Sequence, residues 1–263
     1  MTPLPPETVD TLRPLAETAV LLVALDFDGT LAPFEDEPMK ARMLPESRAA
    51  VESLFTLPDT VVALVSGRSL SDLEQISEHT EDSAIVLAGS HGAEFWIPGE
   101  GLVTPTEEAR ETELRDTLRH DAERELAGFP GVWVEPKTYG FGIHTRTASA
   151  DDGERAWQYA DALVAQHAPH WRRRTGHNIV EYSFRQEGKD AAVAVLRERL
   201  SATAVLFAGD DITDEDAMKA LRVDDLGIRV GGGQTAAALR VSDIEELAAV
   251  LSALAEMRAA RRE

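Results

Sequence analysis

The chain has 263 residues, 43% of them apolar, which is long for one compact unit and enough to build more than one hydrophobic core. A formal charge of −21 disfavours nucleic acid or an anionic membrane surface as a partner, since both would be repelled at long range. The absence of cysteine excludes disulfides and thiolate metal sites, and no apolar run approaches the roughly 20 residues of a membrane span. The amino terminus lacks the basic-then-apolar order of a signal peptide, so a cytoplasmic protein is expected; a monomer is the expected state.

In chain order, residues 1–18 predict a short packing helix. Residues 20–25 are a continuous apolar run, the pattern of a parallel strand buried on both faces, and the run stops at Asp26-Phe-Asp28-Gly-Thr30. Carboxyl ends of parallel strands are where open α/β sheets hold ligands, so Asp26 and Asp28 are expected to face a crevice. Two carboxylates so close need a compensating cation or a raised pKa, and Mg2+ is the simplest compensation, since it suits hard oxygen ligands while keeping room for a substrate phosphate. Gly29 and Thr30 supply a tight turn with N–H groups and a hydroxyl, a cradle for an anion. Alone, this stretch also fits an ordinary turn or a calcium loop.

Residues 32–43 read as a loop, 45–57 as a helix and 61–65 as a second buried strand. That strand ends in Ser66-Gly67-Arg68, placed to bind phosphate at the same crevice, although the triplet also fits a helix N-cap. A helix over 70–77 and a third strand over 84–88 follow, closed by Gly89-Ser90-His91-Gly92. His91 is a substrate-contact candidate or a satisfied loop histidine.

From about Thr104 the pattern changes to a charged helix (107–126), strands at 132–135 and 141–146, a helix (150–165) and strands at 171–174 and 179–184. Two antiparallel β–α–β units lying between parallel strands predict an inserted α+β cap domain over 104–185, with 1–103 and 186–263 forming a Rossmann-like α/β core. Alternation sets Glu135 and Lys137 on one face, and His144 and Arg146 on one face of the next strand. With Glu181, such a set can hydrogen-bond sugar hydroxyls or form a salt-bridge ladder facing water. Arg172, Arg173 and Arg174 read as a solvated edge strand.

The parallel pattern resumes with a helix (190–200), a strand (204–208), a helix (213–221), a strand (226–230), a Gly231-Gly232-Gly233 turn and a closing helix (243–262). The 204–208 strand runs into Asp210, Asp211, Asp214 and Asp216. Helix capping accounts for Asp214 to Asp216 but leaves Asp210 and Asp211 without a task, whereas a metal ligand set uses them. The chain has four lysines against 22 arginines. Lys189 is therefore an uncommon choice, and a compact ammonium suits a point contact to a carboxylate and a phosphoryl oxygen.

Together these four segments resemble, in order, the signatures of the haloacid dehalogenase-like (HAD) phosphatases. The resemblance implies that Asp26 is a phosphate-accepting nucleophile, Asp28 the general acid and base, and Ser66 and Lys189 catalytic partners. It further implies Mg2+ held by Asp26, the carbonyl of Asp28 and Asp210, with Asp211 and Asp214 in support. The region from about residue 20 to 250 is similar to the trehalose-phosphate phosphatases: Ser66-Gly67-Arg68, His91-Gly92, Glu135-x-Lys137, His144-x-Arg146, the Gly176 to Glu181 stretch and Gly209 to Asp216. It departs at Thr145, where that family usually has Tyr, and at Asp190, where it usually has Gly. The resemblance implies an enzyme releasing phosphate from a disaccharide phosphate, trehalose 6-phosphate, with Glu135, Lys137 and Glu181 reading glucose hydroxyls. Alternatives are a phosphatase for sucrose phosphate or for mannosyl- or glucosyl-glycerate phosphate, or a retired sugar-phosphate-binding regulator.

Overall fold

The computed structural model describes residues 4–104, 109–176 and 178–261, and the statements below concern those residues. The chain forms two compact units, Met1–Thr104 with Glu187–Glu263, and Pro105–Gln186.

The first unit contains helices α1 (Pro6–Glu17), α2 (Pro45–Phe55), α3 (Leu70–Ser77), α6 (Lys189–Leu200), α7 (Asp214–Ala220) and α8 (Ile244–Ala260). Its strands are β1 (Leu21–Leu25), β2 (Thr60–Val65), β3 (Val86–Gly89), β4 (Glu94–Ile97), β5 (Gly101–Val103), β10 (Ala204–Gly209), β11 (Leu226–Val230) and β12 (Leu239–Val241). They form one sheet in the order β12-β11-β10-β1-β2-β3-β4-β5, parallel from β12 to β3 and antiparallel at β3–β4 and β4–β5.

All five residues of β1 are buried because both faces of the sheet are covered. Leu21, Val23 and Leu25 join one apolar cluster with residues of α1, α2 and α8, while Leu22 and Ala24 join a second with residues of α6 and α7. Truncating such a residue, Leu25→Ala for example, removes about 2–5 kcal/mol of stability. Strand order reverses at β1: β2 and β3 lie to one side, β10 and β11 to the other. Such a switch point opens a crevice at the carboxyl ends of the strands.

The second unit contains helices α4 (Ala109–Leu126) and α5 (Ala150–His167), and strands β6 (Trp133–Lys137), β7 (Gly140–His144), β8 (Arg172–Gly176) and β9 (Ile179–Ser183). These form an antiparallel sheet in the order β6-β7-β9-β8. Chain order within it is α–β–β twice, which corrects the expected β–α–β units: each helix precedes a hairpin. Phe141, Ile143, Val180 and Tyr182 face Leu118, Ala122, Ala156 and Ala160 of the helices, so one sheet face is apolar and covered. The expected helix start at Glu107 lies outside the described residues.

Three further strands were not anticipated. β4, β5 and β12 are only three or four residues long, too short to display a period. The expected strand over 141–146 stops at His144. A turn closed by the Ala148 N–H on the Thr145 carbonyl (3.1 Å) carries Arg146 off the strand, so Arg146 does not share a strand face with His144.

Candidate active site

Adjacent strands deliver the candidate residues at their carboxyl ends: Asp210 after β10, Asp26 and Asp28 after β1, Ser66 after β2 and His91 after β3. The Asp26 N–H donates to the Ala208 carbonyl (2.9 Å), extending the β1–β10 ladder to the first acid. The N–H groups of Leu31 and Ala32 then converge on the Phe27 carbonyl (2.9 and 3.0 Å), which folds the chain back after Asp28. Gly29 occupies this turn with φ +79°, and a side chain there would overlap the Asp210 carboxylate. The acid turn and Asp210 therefore lie against each other.

Lys189 is the first residue of α6 and is almost fully buried. Its Nζ donates to Asp26 Oδ1 (2.5 Å) and to Asp214 Oδ1 (2.6 Å). The other Asp214 oxygen, Oδ2, accepts the N–H groups of Asp210 (3.0 Å) and Asp211 (2.9 Å). Thr30 Oγ1 lies 3.4 Å from both Asp26 Oδ2 and Asp210 Oδ1. Asp26, Asp210 and Asp214 each offer an oxygen within 4.8 Å of the others, a grouping able to hold a metal ion.

The charges of this cluster do not balance with one ammonium. Burial pushes the Asp26 carboxyl well above the usual carboxylate range, against the opposing pull of Lys189. Burial together with Asp214 lifts Asp210 to about 7. Burial alone would lower Lys189, but Asp214 and Asp26 outweigh it and hold its pKa above the ordinary value. Hard oxygen donors short of positive charge are a set that a divalent cation such as Mg2+ fits.

Asp28 stands apart from this cluster. Its carboxylate is gripped by Arg68, with Nε 2.6 Å from Oδ2 and Nη2 2.6 Å from Oδ1. Ser66 is buried and its Oγ accepts the Arg68 N–H (3.2 Å). The cap of α3 is instead Ser69, whose Oγ accepts the Asp72 N–H (3.2 Å). The His91 N–H donates to the Ser66 carbonyl (2.9 Å), and a side chain on Gly67 would come within 2.6 Å of the His91 ring. Ser90 and His91 both adopt positive φ, 49° and 57°, a conformation costly for non-glycine residues and often found where function needs it.

Glu94 and Arg229 were not named from the sequence, and Asp214 has a more central place than the supporting one expected. Asp214, read as a supporting acid, is fully buried and centrally bonded, and Thr213 makes no side-chain cap. Asp211, read beside it, points its Oδ1 at the Ile212 N–H (2.7 Å) rather than into the cluster. Glu94 on β4 accepts the Leu70 N–H (3.2 Å) and the Ser90 hydroxyl (2.7 Å), tying two site loops together. Arg229 on β11 donates to the Asp211 carbonyl (2.8 Å) and lies 3.4 Å from Glu215, bracing the acid loop. A charged residue inside an otherwise apolar strand, as in Leu-Gly-Ile-Arg-Val, is the signal that could have found Arg229.

In the second unit, Lys137 Nζ bridges Glu135 Oε2 (2.8 Å) and Glu181 Oε1 (3.2 Å), and His144 Nε2 donates to Glu135 Oε2 (2.7 Å). Lys137 and Glu181 belong to strands separated by β7. Gly140 and Gly142 share that face of β7, so no intervening side chain blocks the reach. Burial alone would raise Glu135, but the His144 hydrogen bond and Lys137 bring it below the ordinary range. Burial alone would lower Lys137, but Glu181 and Glu135 hold it above. Glu181 lies mid-strand in β9, and Gly176 ends β8, so the Gly176 to Glu181 stretch is divided between two strands. The solvated edge strand expected at Arg172–Arg174 is corrected at Arg174, which is 8% exposed because register sets it opposite Glu181. Arg173 pairs with Asp161 (2.6 Å).

Acids gathered at the switch point of a mostly parallel sheet, with a second α+β unit inserted between its strands, give the chain the fold of the HAD-like class, which it shares with a solved haloacid dehalogenase-like hydrolase of B. subtilis at a TM-score of 0.62 and 16% identity. Within that class the chain belongs to the trehalose-phosphatase family, whose sequence profile matches residues 24–239. It is 32% identical over 225 residues to a trehalose-phosphate phosphatase of Mycobacterium leprae, covering 78% of this chain and 48% of that protein. It is 28% identical over 254 residues to trehalose-6-phosphate phosphatase of Escherichia coli, covering 89% of this chain and 88% of that one. The chain thus spans about half the length of the mycobacterial trehalose-phosphate phosphatases it matches. The C-terminal domain of Candida albicans trehalose-6-phosphate phosphatase superposes with a TM-score of 0.79 at 19% identity, over 95% of this chain and 96% of that one.

Proposed function

We propose that the protein is a Mg2+-dependent phosphatase that hydrolyses trehalose 6-phosphate to trehalose and inorganic phosphate. The observation that carries this reading is the buried Lys189 ammonium held between Asp26 and Asp214, with Asp210 alongside. Asp26 attacks phosphorus, the bond from phosphorus to the sugar oxygen breaks, and Asp28 gives its proton to that oxygen. Asp28 then takes a proton from water, which attacks the aspartyl-phosphate and releases phosphate and free Asp26. Lys189 and Ser66 hold the phosphoryl oxygens, while Gly29, Thr30, Gly67, Arg68 and His91 line the phosphate cradle. Asp26, Asp210 and the carbonyl of Asp28 would hold Mg2+, which neutralises charge on the phosphoryl oxygens. Asp214 fixes Lys189 and the loop of Asp210 and Asp211. The unit of residues 105–186 serves as the sugar-reading cap, through Glu135, Lys137, His144, Arg146 and Glu181.

The test is phosphate release, with and without Mg2+, from trehalose 6-phosphate, sucrose phosphate and mannosyl- and glucosyl-glycerate phosphates. The proposal predicts the highest kcat/KM for trehalose 6-phosphate. Much faster turnover of another glycosyl phosphate would replace the substrate while leaving the phosphatase chemistry standing.

A further inference from the structure

The charged face of the β6-β7-β9-β8 sheet carries one large aromatic ring that neither the core nor the ion-pair network uses. Trp133 begins β6 and alternates with Glu135 and Lys137, so all three stand on the same face. The apolar cluster lies on the other face and does not include Trp133. The indole stacks on His144, its register partner, with ring centroids 4.4 Å apart and planes 2° apart. His144 is in turn fixed by its hydrogen bond to Glu135. Despite the stack, Trp133 remains 41% exposed.

An indole on a charged, half-open face is costly to leave in water and has the shape to receive a flat apolar partner. A hexopyranose ring offers such a partner: one face presents C–H groups, while the rim presents hydroxyls. Residues two apart on a strand stand about 6.8 Å from each other, close to the width of a sugar ring. His144 covers the indole face turned toward β7, so a sugar ring stacks on the opposite face of Trp133, with Glu135 two residues along the same strand to meet its rim. Lys137, Glu135 and His144 are already joined to one another, so the polar groups are ordered before a sugar arrives.

We infer that Trp133, backed by His144, is a specificity-determining platform that stacks against a hexose ring of the substrate. This rests on the sugar-phosphate reading above. It adds an apolar contact to the charged groups already assigned there.

The experiment compares Trp133→Ala and Trp133→Phe with the wild type, on trehalose 6-phosphate and on p-nitrophenyl phosphate, which has no sugar. Trp133→Ala is expected to raise KM for the sugar phosphate about tenfold with kcat within about twofold, and Trp133→Phe to restore most of the loss. Turnover of p-nitrophenyl phosphate stays at the wild-type level in both variants. An unchanged KM in Trp133→Ala overturns the platform. So does an equal loss on both substrates that Trp133→Phe does not rescue, since that marks a purely structural residue. If the wild type prefers another disaccharide phosphate, the substrate assignment fails, and the same comparison on that compound still decides the role of Trp133.

Discussion

Arg68 and Asp28 form a two-point ion pair across the mouths of β1 and β2, with both N–O distances 2.6 Å. A fork of this kind fixes the carboxylate in orientation as well as in charge. In the proposed reaction Asp28 must protonate the departing sugar oxygen, so one of its oxygens leaves the fork to carry that proton while Arg68 holds the other and positions the acid. Arg68→Ala is expected to lower kcat/KM on the sugar phosphate by about 10–100-fold, with a much smaller effect on p-nitrophenyl phosphate, whose leaving group needs no proton. Steady-state kinetics on the two substrates check this, and equal losses would remove Arg68 from the positioning of Asp28.

Lys189 has the opposite surroundings: it is an ammonium enclosed by carboxylates. Removing it leaves Asp26 and Asp214 buried without their counter-charge, a change that costs about 3–5 kcal/mol. Lys189→Met should unfold at lower urea by that amount and lose about 10²–10³-fold in kcat. Mg2+ binds the folded acid cluster and not the unfolded chain, so adding it should raise the Tm of the variant. A variant as stable as the wild type would contradict the enclosed ion pair.

On the cap sheet, Lys137 balances two carboxylates on strands that are not neighbours. Lys137→Met leaves Glu135 and Glu181 facing each other and removes a donor to sugar hydroxyls. The expected result is a fall of about 10²-fold in kcat/KM for the sugar phosphate, with p-nitrophenyl phosphate unaffected. Unchanged efficiency on both would take Lys137 out of sugar recognition.

His79 gives a pH dependence separate from the active site. Burial lowers its pKa below the ordinary value, while its Nε2 lies 3.2 Å from the Ile85 carbonyl and its ring meets Trp96 edge-on. Below about pH 6.5 the unfolded chain takes up a proton that the folded protein resists, so stability falls as pH drops through that range. Thermal melts of wild type and His79→Gln between pH 5 and 8 should show a shallower acid-side decline in the variant. Parallel curves would contradict it.

The residues that ended buried strands were the ones legible in the sequence. Asp26, Ser66 and Asp210 each follow an apolar run whose length and continuity fix both strand and site. Lys189 was legible through residue choice, as a rare lysine in an arginine-rich chain. What was legible only in part, or not at all, had competing local explanations or too little length. Asp214 fits a helix first turn, yet tertiary contacts with Lys189 and two backbone amides decide its role. β4 opens on Glu94, which leaves an apolar run of only Phe95 to Ile97, and the charge is satisfied by Leu70 and Ser90 from other segments. Arg146 follows the alternation of β7 on paper, but the turn at Thr145–Ala148 ends the strand first. The Lys137–Glu181 bridge depends on strand order β6-β7-β9, which alternation along single strands does not contain.

The most direct measurement is to quench a single turnover of sugar phosphate in acid and reduce the trapped acyl phosphate with borohydride, which converts a phosphorylated aspartate to homoserine. The account predicts homoserine at position 26, and neither homoserine nor phosphate release in Asp26→Asn. Homoserine at another position, or full phosphate release by Asp26→Asn, would contradict it.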